Sequence, residues 1–247
     1  MLESRKLVML DFVYMEKTGS LSVFFPTFNE EANIEKTVLS AKKVLEKLVG
    51  DWEIIIVNDG SIDKTGEISQ KLAVEDSRIK VITHQTNLGY GSALKTGFAK
   101  AKYPWVAFAD SDGQFDFGEI EKFLPLTENS DLILGYRIKR ADPLSRRIYA
   151  FVWALIPRFL WGVNVHDYSC GFKLIKKSVF EAVMPLAGEE KVTQIELLVK
   201  AKKKGFKFAE VGVCHYPRKF GKQTGAKLKV VIKSLVDLFK LWKKLKQ

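Results

Sequence analysis

An α/β fold built on a mostly parallel central sheet, with helices on both faces, is what this sequence of 247 residues predicts, and three observations predict it. Short β-branched or aromatic runs alternate with stretches of helical spacing. Several of those runs are apolar at nearly every position, as parallel strands covered on both faces require. Hydrophobic residues make up 47% of the chain, enough for a full core at this length.

Taken in order, Leu21–Phe25, Glu53–Val57, Lys80–Thr83, Trp105–Ala109 and Asp131–Leu134 read as strands. Between them Ile34–Leu48, Lys64–Val74, Gly91–Ala101 and Phe117–Leu124 repeat their apolar residues at the three- and four-residue intervals of helices. Repeated strand–helix units imply an open sheet whose ligands sit beyond the carboxyl ends of the strands. Chemistry is therefore expected directly after each strand.

Composition excludes several classes. Two cysteines, Cys170 and Cys214, cannot build a disulfide framework, and no Cys/His cluster points to zinc, so a reducing cytoplasm is expected. Asp11 interrupts the apolar run Leu7–Leu10 with no small-residue cleavage site after it, which argues against a secretory signal. No run of about eighteen apolar residues is available for a membrane span. The net charge of +11 is unevenly placed: residues 1–136 carry 15 basic and 21 acidic side chains, residues 137–215 carry 15 and 7, and residues 216–247 carry 10 and 1. A basic rear half suits docking on an anionic surface. Nucleic acid is not the expected partner, because no recognition motif accompanies the charge.

The strand ends are polar. Pro26-Thr27-Phe28-Asn29-Glu30-Glu31 follows the first strand, Asn58-Asp59-Gly60-Ser61 the second and Asp110-Ser111-Asp112-Gly113-Gln114 the fourth. Each alone could be turn and capping chemistry; three on one sheet edge favour a site. Asn87-Leu88-Gly89-Tyr90-Gly91 is not a dinucleotide fingerprint, since its third glycine would fall at Leu94 and it follows the third strand. A Walker A loop is absent as well. Asp110 and Asp112 alternate at a strand end, so both carboxylates can face one cavity with Gln114 next on that side. Two such carboxylates suit a hard divalent cation together with waters and phosphate oxygens.

The segments PTFNEE, IIIVNDGSIDKTGEI, NLGYGSALKTGF and FADSDGQFD, in that order, resemble the family 2 glycosyltransferases of the GT-A fold, and most of all the dolichyl (polyprenyl) phosphate mannose synthase group. The likeness runs from about Leu21 to Lys222 and continues through Gly135-Tyr136-Arg137, Asp167-Tyr168-Ser169-Cys170-Gly171-Phe172 and His215-Tyr216-Pro217-Arg218. It implies a single GT-A domain over residues 21–217, which leaves an extension over residues 1–20 and a basic amphipathic C-terminal helix over residues 218–247 that the tail's own pattern gives. It also implies donor roles. Pro26, Phe28 and Glu30 would line the base and ribose pocket, Asp59 would accept from base N–H groups, and Asn87 and Gly89 would shape the nucleotide loop. Asp110, Asp112 and Gln114 would hold Mg2+ or Mn2+ against the donor diphosphate, and Arg218 would clamp it from a second side.

A lipid phosphate acceptor is already anionic and needs cations rather than a base. Arg137, Lys139, Arg140, Arg146 and Arg147 lie in one stretch, and guanidinium forks suit phosphate. The resemblance puts Arg137 and one of Arg146 or Arg147 on the acceptor; relatives often carry a serine where this chain has Ala150. His215 reads either as part of the donor loop or as a structural histidine, and Asp167 either as a sugar ligand or as a loop anchor. Glu196 stands where relatives that glycosylate hydroxyls place a base, and its helical surroundings suit a structural role equally.

The segment 148–163, IYAFVWALIPRFLWGV, is too short to span a bilayer and reads as a pair of helices lying in the headgroup layer or as a buried face. In the tail, Leu228, Val231, Leu235, Leu238, Phe239, Trp242 and Leu245 share one helical face, while Lys229, Lys233, Lys240 and Lys244 share another. Such a helix reads as a contact with anionic lipid, or as packing on its own domain. The whole is expected to be a metal-dependent inverting transferase, peripheral on the cytoplasmic membrane face, moving mannose from GDP-mannose to polyprenyl phosphate. The alternatives are a UDP-sugar enzyme acting on a sugar hydroxyl, or transfer of glucose from UDP-glucose to polyprenyl phosphate. In another class stands an idle sugar-nucleotide or lipid-surface binding module.

Overall fold

Residues 18–138, 144–220 and 228–246 are described in the computed structural model. In chain order the elements are β1 (Thr18–Thr27), α1 (Ile34–Leu48), β2 (Val49–Asn58), α2 (Thr65–Glu75), β3 (Ile79–Thr83), α3 (Tyr90–Lys100), β4 (Trp105–Ala109), β5 (Leu132–Arg137), α4 (Leu144–Trp161), β6 (Phe172–Lys176), α5 (Lys177–Val183), α6 (Glu190–Lys203), β7 (Phe208–Val213) and α7 (Leu228–Lys246). The seven strands form one sheet in the order β3-β2-β1-β4-β6-β5-β7. All pairings are parallel except those of β6, which runs antiparallel to both β4 and β5.

Alternation along the central strands builds two cores. Val23 and Phe25 of β1 and Ile54 and Ile56 of β2 face α1, whose Ile34, Val38, Ala41 and Leu45 recur at helical spacing and are fully buried. Phe24, Ile55, Val57 and Phe108 face the other side, against Phe98 of α3 and Ile195 and Leu198 of α6. Because both faces are covered, β1, β2 and β4 must be apolar nearly throughout. The order reverses between β1 and β4, on whose two sides the chain proceeds outward. The crevice beyond their carboxyl ends is the binding position such sheets provide.

Three expectations change. Strands β6 and β7 were not among those read from the sequence; β6 is FKLIK, whose two lysines mask a strand inserted against the parallel direction. Phe117–Leu124, expected as an α-helix, forms two 3-10 segments, Phe117–Lys122 and Leu124–Glu128, the second with Pro125 in its first turn. The segment 148–163 lies mainly in the single helix α4, which continues through Pro157 rather than forming a pair. Its Trp153 is buried in the core, whereas Phe159 and Leu160 are exposed.

Helix α7 divides its apolar stripe. Leu238 and Leu241 are buried against the domain, but Leu235, Val236 and Phe239 are exposed, with Phe239 stacked on Trp242. Lys240, Lys243 and Lys244 are exposed too. The side chains of Leu228, Lys229, Val231 and Lys233 lie outside the described set. No described helix is long and apolar enough to cross a membrane.

Candidate active site

The loops after β1 and β2 hold one another. Asn29 takes a left-handed backbone (φ 55°); its N–H donates to Ser61 Oγ (2.9 Å) and its Oδ1 accepts from Ile62 N (2.9 Å). Glu30 N donates to Thr65 Oγ1 (2.8 Å), and Asn58 Oδ1 accepts from Ser61 N (3.0 Å). The Phe28 side chain on the same loop is 41% exposed, which leaves its aromatic face free.

Asp59 is buried and already engaged. Its Oδ1 meets His84 Nδ1 (2.6 Å) and accepts from Leu88 N (2.9 Å), while Oδ2 accepts from Gly89 N (2.9 Å). The residue expected to read a base thus first anchors the Asn87–Gly89 loop, and His84 Nε2 ties that anchor to Thr96 Oγ1 at 2.9 Å. Gly89, at φ 90°, makes the turn into α3, a conformation most side chains avoid. Asn87, Leu88, Gly89, Ser92, Glu189 and Glu190 enclose a polar cleft of about 180 Å³ beside this loop.

Asp110 and Asp112 stand at the end of β4. Tyr90 donates its hydroxyl hydrogen to Asp110 Oδ1 (2.9 Å), Asp110 N donates to Gly171 O (3.0 Å), and Asp112 Oδ1 accepts from Gln114 N (3.1 Å). Burial, and after it the neighbouring Asp112 charge, pushes the Asp110 carboxyl well above the usual carboxylate range. Asp112 is raised as well, by burial. Among the described residues no three His, Cys, Asp or Glu side chains form a full metal cage. Two carboxylates that resist ionising side by side nevertheless fit a hard divalent cation completed by diphosphate oxygens and water. Gln114 Nε2 donates to Tyr216 O (2.9 Å) and Tyr216 N donates to Gln114 O (2.9 Å). That reciprocal pair pins the 214–218 segment across the acidic loop.

The pinning delivers Arg218. Its Nη1 lies 3.4 Å from Asp112 Oδ2 and its Nη2 pairs with Glu30 Oε1. Asn33 Nδ2 donates to the other Glu30 oxygen (2.7 Å), and burial raises the Glu30 carboxyl despite both contacts. Glu30, expected at the ribose, therefore also fastens Arg218. His215 packs its buried ring edge-on against Phe115 at 5.4 Å.

On the acceptor side Arg137, at the end of β5, donates from Nε and Nη2 to Asp167 (2.6 and 2.9 Å) and from Nη2 to Ser169 Oγ (3.0 Å). One edge of its fork is thus spent on Asp167, whose Oδ1 also accepts from Ser169 N (3.2 Å) within the same loop. Arg146 and Arg147 fall in the first turn of α4, with side chains outside the described residues, as are Lys139 and Arg140. Glu196 is fully buried, bonded by Gly188 N (2.6 Å) and paired with Lys200 (2.7 Å), surroundings that suit its structural reading. Burial pushes the Cys170 thiol up to about 12, an inert core residue.

Two residues of the site went unnoticed in the sequence. Gly171 lets the Asp110 carboxylate lie against its Cα, where a Cβ would come within 2.0 Å of Oδ2. Tyr90 holds Asp110 from the other side. The only local signals are a glycine just before a strand and an aromatic residue at a helix start.

Residues 22–184 match the family described as Glycosyl transferase family 2. Glycosyltransferase AglD of Haloferax volcanii is 30% identical over 207 residues, which are 80% of this chain but only 33% of that protein. The dolichyl-phosphate beta-glucosyltransferase of Saccharomyces cerevisiae is 28% identical over 244 residues, covering 87% of this chain and 71% of the relative. The crystal structure of glucosyl-3-phosphoglycerate synthase from Mycobacterium tuberculosis, in complex with Mn2+, uridine diphosphate and glucosyl-3-phosphoglycerate, superposes with a TM-score of 0.70. It covers 91% of this chain and 80% of that one at 21% identity, a likeness of fold.

Proposed function

Because the chain belongs to glycosyltransferase family 2, we propose that it transfers a hexose from a nucleoside diphosphate sugar to a polyprenyl phosphate at a membrane surface. The observation that carries this reading is the convergence of Asp110, Asp112, Glu30 and Arg218 in the crevice beyond β1 and β4. A divalent cation there, Mg2+ or Mn2+, would supply positive charge to the departing diphosphate. Asp110 and Asp112 hold its place, and Gln114 sets the loop. Arg218 adds a fixed cation on the diphosphate side. Pro26 and Phe28 line the nucleotide, while Asp59 shapes its pocket through Asn87–Gly89.

A phosphate nucleophile arrives ionised, so the protein need only bind and aim it. Arg137, Arg146 and Arg147 are assigned to that phosphate, with the Arg137 fork oriented by Asp167. Attack on the anomeric carbon opposite the nucleotide inverts it, as the family resemblance implies. GDP-mannose is the first reading of the donor, from the likeness of the motifs to the mannose synthase group. UDP-glucose is the second, supported by the name of the yeast relative. A screen of both donors against polyprenyl phosphate, with and without Mn2+ or Mg2+, tests the assignment. One donor should yield metal-dependent glycolipid. No product from either, or faster transfer to a glycan hydroxyl, overturns it.

The exposed half of the α7 stripe supports peripheral docking on an anionic cytoplasmic leaflet, together with Phe159 and Leu160 of α4. Deleting the helix would uncover Leu238 and Leu241, so surface substitutions are the better test. Reversing Lys240, Lys243 and Lys244 to Glu removes about 1 kcal/mol of attraction per lysine. Binding to vesicles rich in anionic lipid should fall about a hundredfold with the melting temperature unchanged. Unaltered, salt-insensitive partitioning would remove α7 from the docking surface.

A further inference from the structure

Lys173 extends from β6 into the protein and is 1% exposed. Its ammonium donates to Tyr168 O (3.3 Å), Cys170 O and Gln194 Oε1, which uses all three of its hydrogens on neutral oxygens. The Phe108 ring lies 5.6 Å away, and Leu94, Phe98 and Phe180 complete an apolar surround. Burial lowers the affinity of this amine for its proton. An ammonium kept in such a place costs more than a methionine would. Its bonds must therefore accomplish something packing could not.

What they accomplish is directional. A glutamine amide can present either end, and a partner that only donates decides which. Facing Lys173, Gln194 must turn its oxygen inward, which aims Nε2 at the Tyr90 hydroxyl (3.3 Å). With a donor already on its oxygen, Tyr90 has its own hydrogen left for Asp110 Oδ1, 2.9 Å away. The Tyr168 and Cys170 carbonyls lie on the loop that ends in Gly171, whose own carbonyl receives the Asp110 N–H. Both supports of one carboxylate thus meet at a single buried cation.

We infer that Lys173 is a positioning residue for Asp110, acting through Gln194 and Tyr90 on one side and through the 168–171 loop on the other. The inference rests on the reading of Asp110 and Asp112 as cation ligands. Lys173 touches neither the cation position nor the donor; it sets the orientation of the carboxylate that does. Outer partners of this kind are worth roughly ten- to a hundredfold in metal affinity.

The test is the dissociation constant of Mn2+, titrated calorimetrically with GDP and again with UDP, on folded protein. Lys173→Met and Gln194→Leu should each weaken Mn2+ about tenfold. Tyr90→Phe should do the same, and adding Lys173→Met to Tyr90→Phe should cost less than the two changes separately. A folded Lys173→Met variant that binds Mn2+ within about twofold of wild type overturns the inference, given that outer partners usually cost tenfold or more. Should that variant not fold, Gln194→Leu decides by the same criterion. Asp110→Asn separates the two levels: if it too retains wild-type Mn2+ binding, the cation reading itself fails. If Asp110→Asn abolishes binding while Lys173→Met leaves it intact, only the role of Lys173 fails.

Discussion

Asp112→Asn and Asp110→Asn are each expected to lower sugar transfer about a thousandfold, a loss of about 4 kcal/mol of transition-state stabilisation. Asparagine keeps size and shape, so Asp112 can still accept from Gln114 N and Asp110 from Tyr90. What disappears is the charge that holds a cation where the diphosphate departs. The same variants carry a stability signature of opposite sign. Both carboxyls are raised in the folded protein, by burial and in Asp110 also by the neighbouring Asp112. A raised carboxyl favours the folded state while protonated, and that contribution is lost as pH climbs from the unfolded value through the raised one. In chelator at pH 8 each Asn variant should therefore melt at or above wild type, and the difference should vanish near pH 4. For the same reason Mn2+ affinity of the wild type should rise with pH and level off once the pair is ionised. A melting temperature well below wild type at pH 8 would mean the carboxylates serve the fold instead, transfer that survives in either variant would overturn the reading of that carboxylate as a cation ligand, and a wild type with no metal-dependent transfer to lose would leave only a binding module.

How much of this was legible depended on how far apart the partners lie. The central strands announced themselves because both faces of β1, β2 and β4 are covered, so their polar ends stood out as the sheet edge where ligands bind. Helix α1 could be delimited at Ile34 and Leu48 because its alternation of four- and three-residue apolar intervals is unbroken. The tail's periodicity was equally plain, yet a single stripe serves two surfaces: Leu238 and Leu241 turn inward while Leu235 and Phe239 turn out. Periodicity identifies an apolar face without saying what covers each part of it.

Contacts between distant residues were beyond reach. Arg137 and Asp167 are 30 positions apart and both suit an anion or sugar site, so nothing local marks them as partners. Arg218 meets Glu30 across 188 positions, which turns two separate expectations into one ion pair. Lys173 was hidden for a different reason. In FKLIK a lysine reads as a solvent-facing position, and only the carbonyls of the preceding loop and the Gln194 amide make its burial tolerable.

Gly171→Ala is the second large effect to expect, and its cause is space rather than backbone freedom, since this glycine is not among those with positive φ. The added methyl would sit 2.0 Å from Asp110 Oδ2, far inside contact distance. The backbone cannot retreat cheaply, because Ala109 pairs with Phe172 in the β4–β6 ladder and Asp110 N donates to Gly171 O (3.0 Å). The carboxylate must give instead, and turning it breaks the bond from Tyr90. Misplacing a reacting group by about 1 Å costs on the order of a hundredfold in rate. Transfer should fall by about that factor, with Mn2+ bound more weakly and the circular dichroism spectrum unchanged. The melting temperature should change little, because no core volume is lost and alanine tolerates this φ. Gly19, which has no neighbour within 4 Å of an added Cβ, provides the control: Gly19→Ala should leave rate and Mn2+ affinity as they are. Equal behaviour of the two alanine variants would show that the Asp110 carboxylate does not depend on the space beside Gly171, and would remove the steric half of the account of how the site is held.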